Sequence, residues 1–189
     1  MSSRPPKRTD EERDSENDKR ELADPVRGAN FLQALALEFK YEGHPKHKMH
    51  PHAYGLATFS GRRGDATFCD LHAKFPPGRM HLLKGLFQDG IKAGLTGANY
   101  TAHDEPTIVW CIDDNGWIYE ARITTASQAV YHGFPVRAGE AIAHEVIKRY
   151  SEYVRRLKSS AVSGGNLKAA VAHLKLCEEK LKNAEEMYR

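Results

Sequence analysis

The chain has 189 residues, with 28 basic side chains, 25 acidic ones and ten histidines, for a net charge of +3 at neutral pH. That length fits one domain with appendages, and no run of about 18 apolar residues exists to span a membrane. Cys69, Cys111 and Cys177 are odd in number and far apart, which suits a reducing compartment and offers no zinc-binding pair.

The N-terminal 24 residues are charged and nearly free of large apolar side chains. Such a segment buries too little surface to offset its ordering entropy, so it reads as a disordered tail. It also lacks the apolar core of a secretory signal, and the cytoplasm is the expected location. Asp24-Pro25 then marks a helix start, with Asp as cap and Pro in the first helical position. Phe31, Leu35 and Phe39 recur at spacings of four, and Gly43 and Pro45 end that helix.

Residues 53–75 read as two strands around a turn at Gly61–Gly64, although neither face of the second strand is cleanly apolar. A helix follows with Leu83, Leu86, Phe87 and Ile91 on its apolar side. Its internal Gly85 and Gly90 each weaken it by about 1 kcal/mol relative to alanine, so packing must hold it.

The clearest local signal is "TIVWCIDDNGWIYEARIT". Asn115-Gly116 suits a two-residue hairpin turn in which both positions take positive φ. That turn sets Ile112 opposite Tyr119 and Trp110 opposite Ala121. One face then carries Ile108, Trp110, Ile112, Tyr119, Ala121 and Ile123, and the other Val109, Cys111, Glu120 and Arg122. Trp110 and Tyr119 are the expected centre of the core. "AVYHGFPV" reads as a short strand ending at Pro135. A helix over about 138–157 has Ala143, Val146, Ile147, Tyr150, Val154 and Leu157 as its stripe, with Glu145–Arg149 and Glu152–Arg156 as i,i+4 pairs.

Residues 158–165 read as a flexible linker. From Asn166, the positions Leu167, Ala170, Leu174, Cys177, Leu181, Ala184 and Tyr188 follow three- and four-residue steps, three short heptads. This helix over 166–189 either docks on its own domain or forms a homodimer or protein-partner seam. The whole predicts an α+β domain over 25–157, an antiparallel sheet of four to five strands with helices on one face, plus the C-terminal heptad-like helix.

Two groups of residues point to chemistry. Residues 40–100 hold nine basic and four acidic groups, a net of +5, and six of the ten histidines. At their start "GHPKHKMHPH" packs His44, His47, His50 and His52 beside Lys46 and Lys48. Extended backbone at Pro45 and Pro51 would align His44, His47 and His50 along one edge. Imidazoles suit zinc, nickel or copper, but the two lysines repel a cation and no thiolate is near, so neither a metal nor another cofactor is expected. With Arg62 and Arg63, the stretch reads instead as a basic loop for the nucleic-acid backbone, or as an ordinary basic surface.

The second group is Glu120 and Arg122, two apart on one strand, with His132 on the next. A carboxylate to take a 2′-hydroxyl proton, a cation for the charged phosphorane and a histidine for the leaving oxygen are what metal-independent RNA cleavage needs. A surface salt bridge and a histidine in a tight turn would look the same in sequence. Cysteine nucleophiles are disfavoured: Cys69 faces away from His72 on its strand, and Cys111 opposes Glu120. The functional expectation is a small nucleic-acid-acting protein with RNA favoured, in one form a toxin-like ribonuclease. The alternative is a non-catalytic interaction module whose histidine-rich loop is a docking surface.

Overall fold

The computed structural model describes residues 20–62, 67–161 and 167–189. Among these, four α-helices and four strands make an α+β fold. In order they are α1 (Ala29–Glu38), β1 (Lys40–Tyr41), α2 (Leu82–Lys92), β2 (Ile108–Ile112), β3 (Ile118–Thr125), β4 (Val130–Pro135), α3 (Ala141–Ala161) and α4 (Leu167–Met187). The sheet runs β1-β4-β3-β2. β1 lies parallel to β4, and the other neighbours are antiparallel.

Helices cover both faces of this sheet rather than one. On the first face Leu32, Leu35 and Phe39 from the α1 region, with Leu83, Phe87 and Ile91 of α2, pack on Val109, Cys111, Tyr119, Ala121 and Tyr131. On the second face Ile142, Val146, Tyr150 and Val154 of α3, with Ala184 and Tyr188, pack on Ile108, Trp110, Ile112 and Ile118. Every residue of β2 is buried for that reason. Gly90, a weak point for an isolated helix, is required here: a Cβ would overlap the Trp110 carbonyl oxygen, so α2 can lie flush on β2.

The β2–β3 hairpin forms as expected, but its register is shifted by one residue. Ile112 opposes Ile118, Trp110 opposes Glu120 and Val109 opposes Ala121. The Asp113 carboxylate decides this by accepting the backbone N–H groups of Asn115 and Trp117, each at 2.9 Å. Asp113 and Trp117 thereby close a three-residue loop in which Gly116 takes φ +85° while Asn115 keeps negative φ. This is a turn followed by a left-handed residue, not the two-residue turn. A one-residue slip exchanges the faces, so Trp110 and Tyr119 are both buried, as expected, but on opposite sides.

Other expectations also change. Residues 20–23 of the expected tail are part of the fold: Leu22 bridges Gly97, and the Ala23 N–H donates to the Thr96 carbonyl at 2.9 Å. The helix does not start at Asp24-Pro25: α1 begins at Ala29, with Gly28 as its N-cap. Residues 1–19 lie outside the described residues. Among those described, no strand occupies 53–75. Single 3-10 turns at Pro51–Tyr54 and Pro77–Arg79 flank a looped segment instead, because no face there is apolar enough to join a sheet. Arg63 and residues 64–66 are not described.

α3 continues through Ala161, into the expected linker, and 162–166 fall outside the described residues. On α3, Arg149 turns to Asp24 and Glu152. The heptad positions of α4 are spent inside the domain. Cys177, Ala184 and Tyr188 are buried against α3 and the sheet, Leu174 and Leu181 partly so, while Ala170 is exposed. Tyr188 fastens this end: its hydroxyl accepts from the Ile118 N–H at 3.1 Å and donates to the Val136 carbonyl at 2.9 Å.

Candidate functional site at the histidine loop

Antiparallel pairing of β3 with β4 sets Glu120 opposite Phe134 and Arg122 opposite His132. These four side chains share the second face of the sheet, beside the part packed under α3 and α4. The loop after β1 closes over them. The Lys40 N–H donates to the Ala129 carbonyl and the Glu42 N–H to the Tyr131 carbonyl, so the parallel β1–β4 pair delivers residues 43–47 onto β4.

The histidine stretch is not an extended edge. Pro45–His47 forms a 3-10 turn capped by His44, whose Nδ1 accepts the Lys46 N–H at 3.1 Å. His44 and His47 turn inward while His50 and His52 are exposed. Segment 67–75 clamps the loop from behind. The Asp70 carboxylate accepts the N–H groups of Met49 and His50, each at 2.9 Å, and Tyr54 donates its hydroxyl to the Phe75 carbonyl at 2.6 Å.

Three histidines therefore meet. Ring centroids of His44 and His132 are 5.2 Å apart, those of His47 and His132 5.8 Å and nearly parallel, and those of His44 and His47 6.1 Å. Phe134 stacks on His47 at 4.8 Å, Phe59 meets His44 edge-on at 5.7 Å, and the Arg122 guanidinium lies 5.7 Å from the Phe134 ring centre. Burial lowers the pKa of all three imidazoles, reinforced by neighbouring positive groups. His47 falls to about 3, with His132 and Lys46 contributing, and His132 to about 4, with His44 and Arg122 contributing. His44 is lowered by burial and by Lys46. The Nδ1 atoms of His47 and His132 are buried without a hydrogen-bond partner among the described residues. Buried polar atoms without a partner are costly, and each calls for a physical explanation.

Glu120 and Arg122 do lie beside His132, but not on an open sheet. Glu120 is 0 % exposed. Its Oε1 accepts from Arg122 Nε at 2.8 Å, and its Oε2 accepts from Trp110 Nε1 at 3.0 Å and lies 3.0 Å from Arg20 Nε. A carboxylate with both oxygens engaged by two guanidinium groups and an indole does not suit a general base; it anchors Arg122. A histidine with a pKa near 4 is neutral at pH 7, so the His132 ring carries no second proton to donate there.

Of the expected binding residues, Lys46 sits half-buried beside His44, and Arg62 is exposed. Lys48 points inward, 1 % exposed, with its ammonium 4.7 Å above the Tyr54 ring, so it is turned away from any nucleic acid. Among the described residues, no group of three histidine, cysteine, aspartate or glutamate side chains is placed to hold a metal ion. The three cysteines are buried, and burial raises each thiol pKa.

Sequence reading missed Phe134 and Arg20. Phe134 could have been found from its two-residue offset to His132 on one strand, whereas a lone arginine at the end of a charged tail carries no such signal. No protein-family model matches this chain, and neither a curated protein nor a solved structure is similar to it, so the geometry of the site carries the functional reading.

Proposed function

We propose that this protein binds RNA and cleaves its phosphodiester backbone without a metal ion, by acid–base catalysis at His132, His44 and Arg122. The observation that carries this reading is the 5.2 Å approach of the His44 and His132 rings beside Arg122. His132, kept neutral by burial and by the adjacent guanidinium, takes the proton of a 2′-hydroxyl. The freed oxygen attacks phosphorus while Arg122 balances the charge gathering on the phosphoryl oxygens.

His44 serves as the acid. Its Nδ1 is engaged by the Lys46 N–H, so Nε2 is the nitrogen that carries the proton in the neutral ring. A bound phosphate is an opposite charge close by and raises the pKa of the imidazole, loading the second proton. That proton passes to the departing 5′ oxygen as its bond to phosphorus breaks, leaving a 2′,3′-cyclic phosphate and a 5′-hydroxyl. His47, the most buried of the three, stacks between Phe134 and His132 and fixes the His132 ring.

The test is RNA degradation by the purified full chain in excess EDTA, with His132→Ala and His44→Ala alongside. Cleavage should survive EDTA, spare DNA of the same sequence, and fall roughly 10²- to 10⁴-fold in either variant. Loss of cleavage in EDTA, or two variants as active as the parent, would refute the mechanism. RNA bound but left intact would instead identify a non-catalytic docking module.

A further inference from the structure

The side of the histidine loop that faces β4 is built from rings. His44 and His47 meet His132 at 5.2 and 5.8 Å between centroids, and Phe134 stacks on His47 at 4.8 Å. The groups acting on those imidazoles are all bases: Lys46 and Lys48 from the loop, Arg122 from β3, and the other histidines themselves. Two carboxylates border this contact. Glu120 is taken up by Arg122, Arg20 and Trp110, and Asp70 by the Met49 and His50 N–H groups. A protonated ring here therefore meets repulsion and gains no counter-ion. The attachments behind the loop use no imidazole. The Cys69 N–H donates to the His47 carbonyl at 3.2 Å, Asp70 holds its two N–H groups, and Tyr54 reaches the Phe75 carbonyl. In front, β1 pairs with β4 over Lys40 and Tyr41 alone. Charging the rings thus loosens the loop from β4, but neither the loop from 67–75 nor the strands of the sheet from one another.

We propose that residues 43–52 form an acid-released flap: protonation of His44, His47 and His132 swings the loop off β4 while the sheet stays folded. The closed arrangement keeps His47 and His132 neutral down to about 3 and about 4, whereas opening returns both rings to water and to the ordinary value of 6.5. The open form therefore binds protons that the closed form does not, and it gains ground as pH falls from 7. Each of these two rings favours opening by roughly 25-fold between pH 7 and pH 5, and together by several hundredfold. His44, lowered by burial and by Lys46, acts in the same direction. Opening uncovers His132 and Phe134, so acid governs access to this part of the sheet whatever the site binds.

The experiment follows backbone amide exchange of the full chain by NMR at pH 7 and pH 5, corrected for the intrinsic pH dependence of exchange. The His47 and Lys48 N–H groups, bonded to the His44 and Pro45 carbonyls, report the flap, because an isolated 3-10 turn has poor hydrogen-bond geometry and depends on its packing. The amides of β3 report the sheet. Flap protection in the parent should fall several hundredfold from pH 7 to pH 5, and at pH 5 the flap should exchange roughly a hundredfold faster than β3, or more. His47→Phe keeps the stack on Phe134 without a titrating group, and its loss should be about 25-fold smaller. In His47→Phe/His132→Phe the change should stay within about tenfold, the share left to His44. Should the double variant not fold, His47→Phe decides alone. Flap amides that are unprotected at pH 7, or equally protected at both pH values, overturn the proposal. So does a His47→Phe chain as acid-sensitive as the parent. Flap and β3 exchanging at one common rate at pH 5 would mean that the whole chain unfolds at once, and would overturn it too.

Discussion

Acidification should destabilise this fold through its histidine cluster, and His47 is the best place to measure it. The ring is 6 % exposed, stacked 4.8 Å from Phe134, and burial lowers its pKa from 6.5 to about 3. Unfolding returns it to water and to its ordinary value. Between these two values the unfolded chain binds a proton that the folded chain does not, so stability must fall as pH falls. At pH 5 an unfolded imidazole favours the charged form by roughly thirtyfold, and moving from pH 7 to pH 5 removes about 2 kcal/mol through His47 alone. The loss continues until the pH approaches the folded value. His132, lowered to about 4, acts in the same direction. Urea unfolding of the parent and of His47→Phe at the two pH values provides the assay. Phenylalanine keeps the stack on Phe134 and cannot titrate, so the acid-induced loss should be about 2 kcal/mol smaller in the variant. An equal loss in both proteins, or a parent as stable at pH 5 as at pH 7, would refute the reasoning.

Gly116→Ala should destabilise the chain by about 2–4 kcal/mol in thermal or urea unfolding. The position takes φ +85°, and an added Cβ would overlap the backbone of Asn183 and Ala184, forcing α4 off the hairpin turn. Unchanged stability would mean that α4 does not dock there. Tyr188→Phe leaves the Ile118 N–H and the Val136 carbonyl without their shared hydroxyl, and should lower unfolding free energy by about 1–3 kcal/mol. A loss well under 1 kcal/mol would show that other groups satisfy that sheet end.

Apolar spacing was enough to find α2 and α3 and the faces they bury. Leu83, Phe87 and Ile91 of α2, and Val146, Tyr150 and Val154 of α3, point inward because period 3.6 admits one consistent stripe. The hairpin was legible too, since Asn115-Gly116 between two β-rich runs is a strong local signal. Its register was not. Two- and three-residue loops both accept Asn-Gly, and the choice fell to the Asp113 side chain. The apolar pattern could not arbitrate, because helices bury both faces of β2.

The candidate site divides the same way. Glu120, Arg122 and His132 could be grouped from sequence because adjacent antiparallel strands bring nearby residues side by side. The stretch at residues 43–52 stood out as a density of histidine and lysine, but neither its inward members nor its partner strand could be read. The two-residue parallel pairing of Lys40 and Tyr41 with Val130 and Tyr131 brings His44 and His47 to His132, and so short a strand leaves no periodic trace. Arg20 is similar: its burial beside Glu120 and Glu140 leaves no pattern along the chain. Local order follows from spacing along the chain, whereas burial of charge and the meeting of distant rings depend on which surfaces fold together.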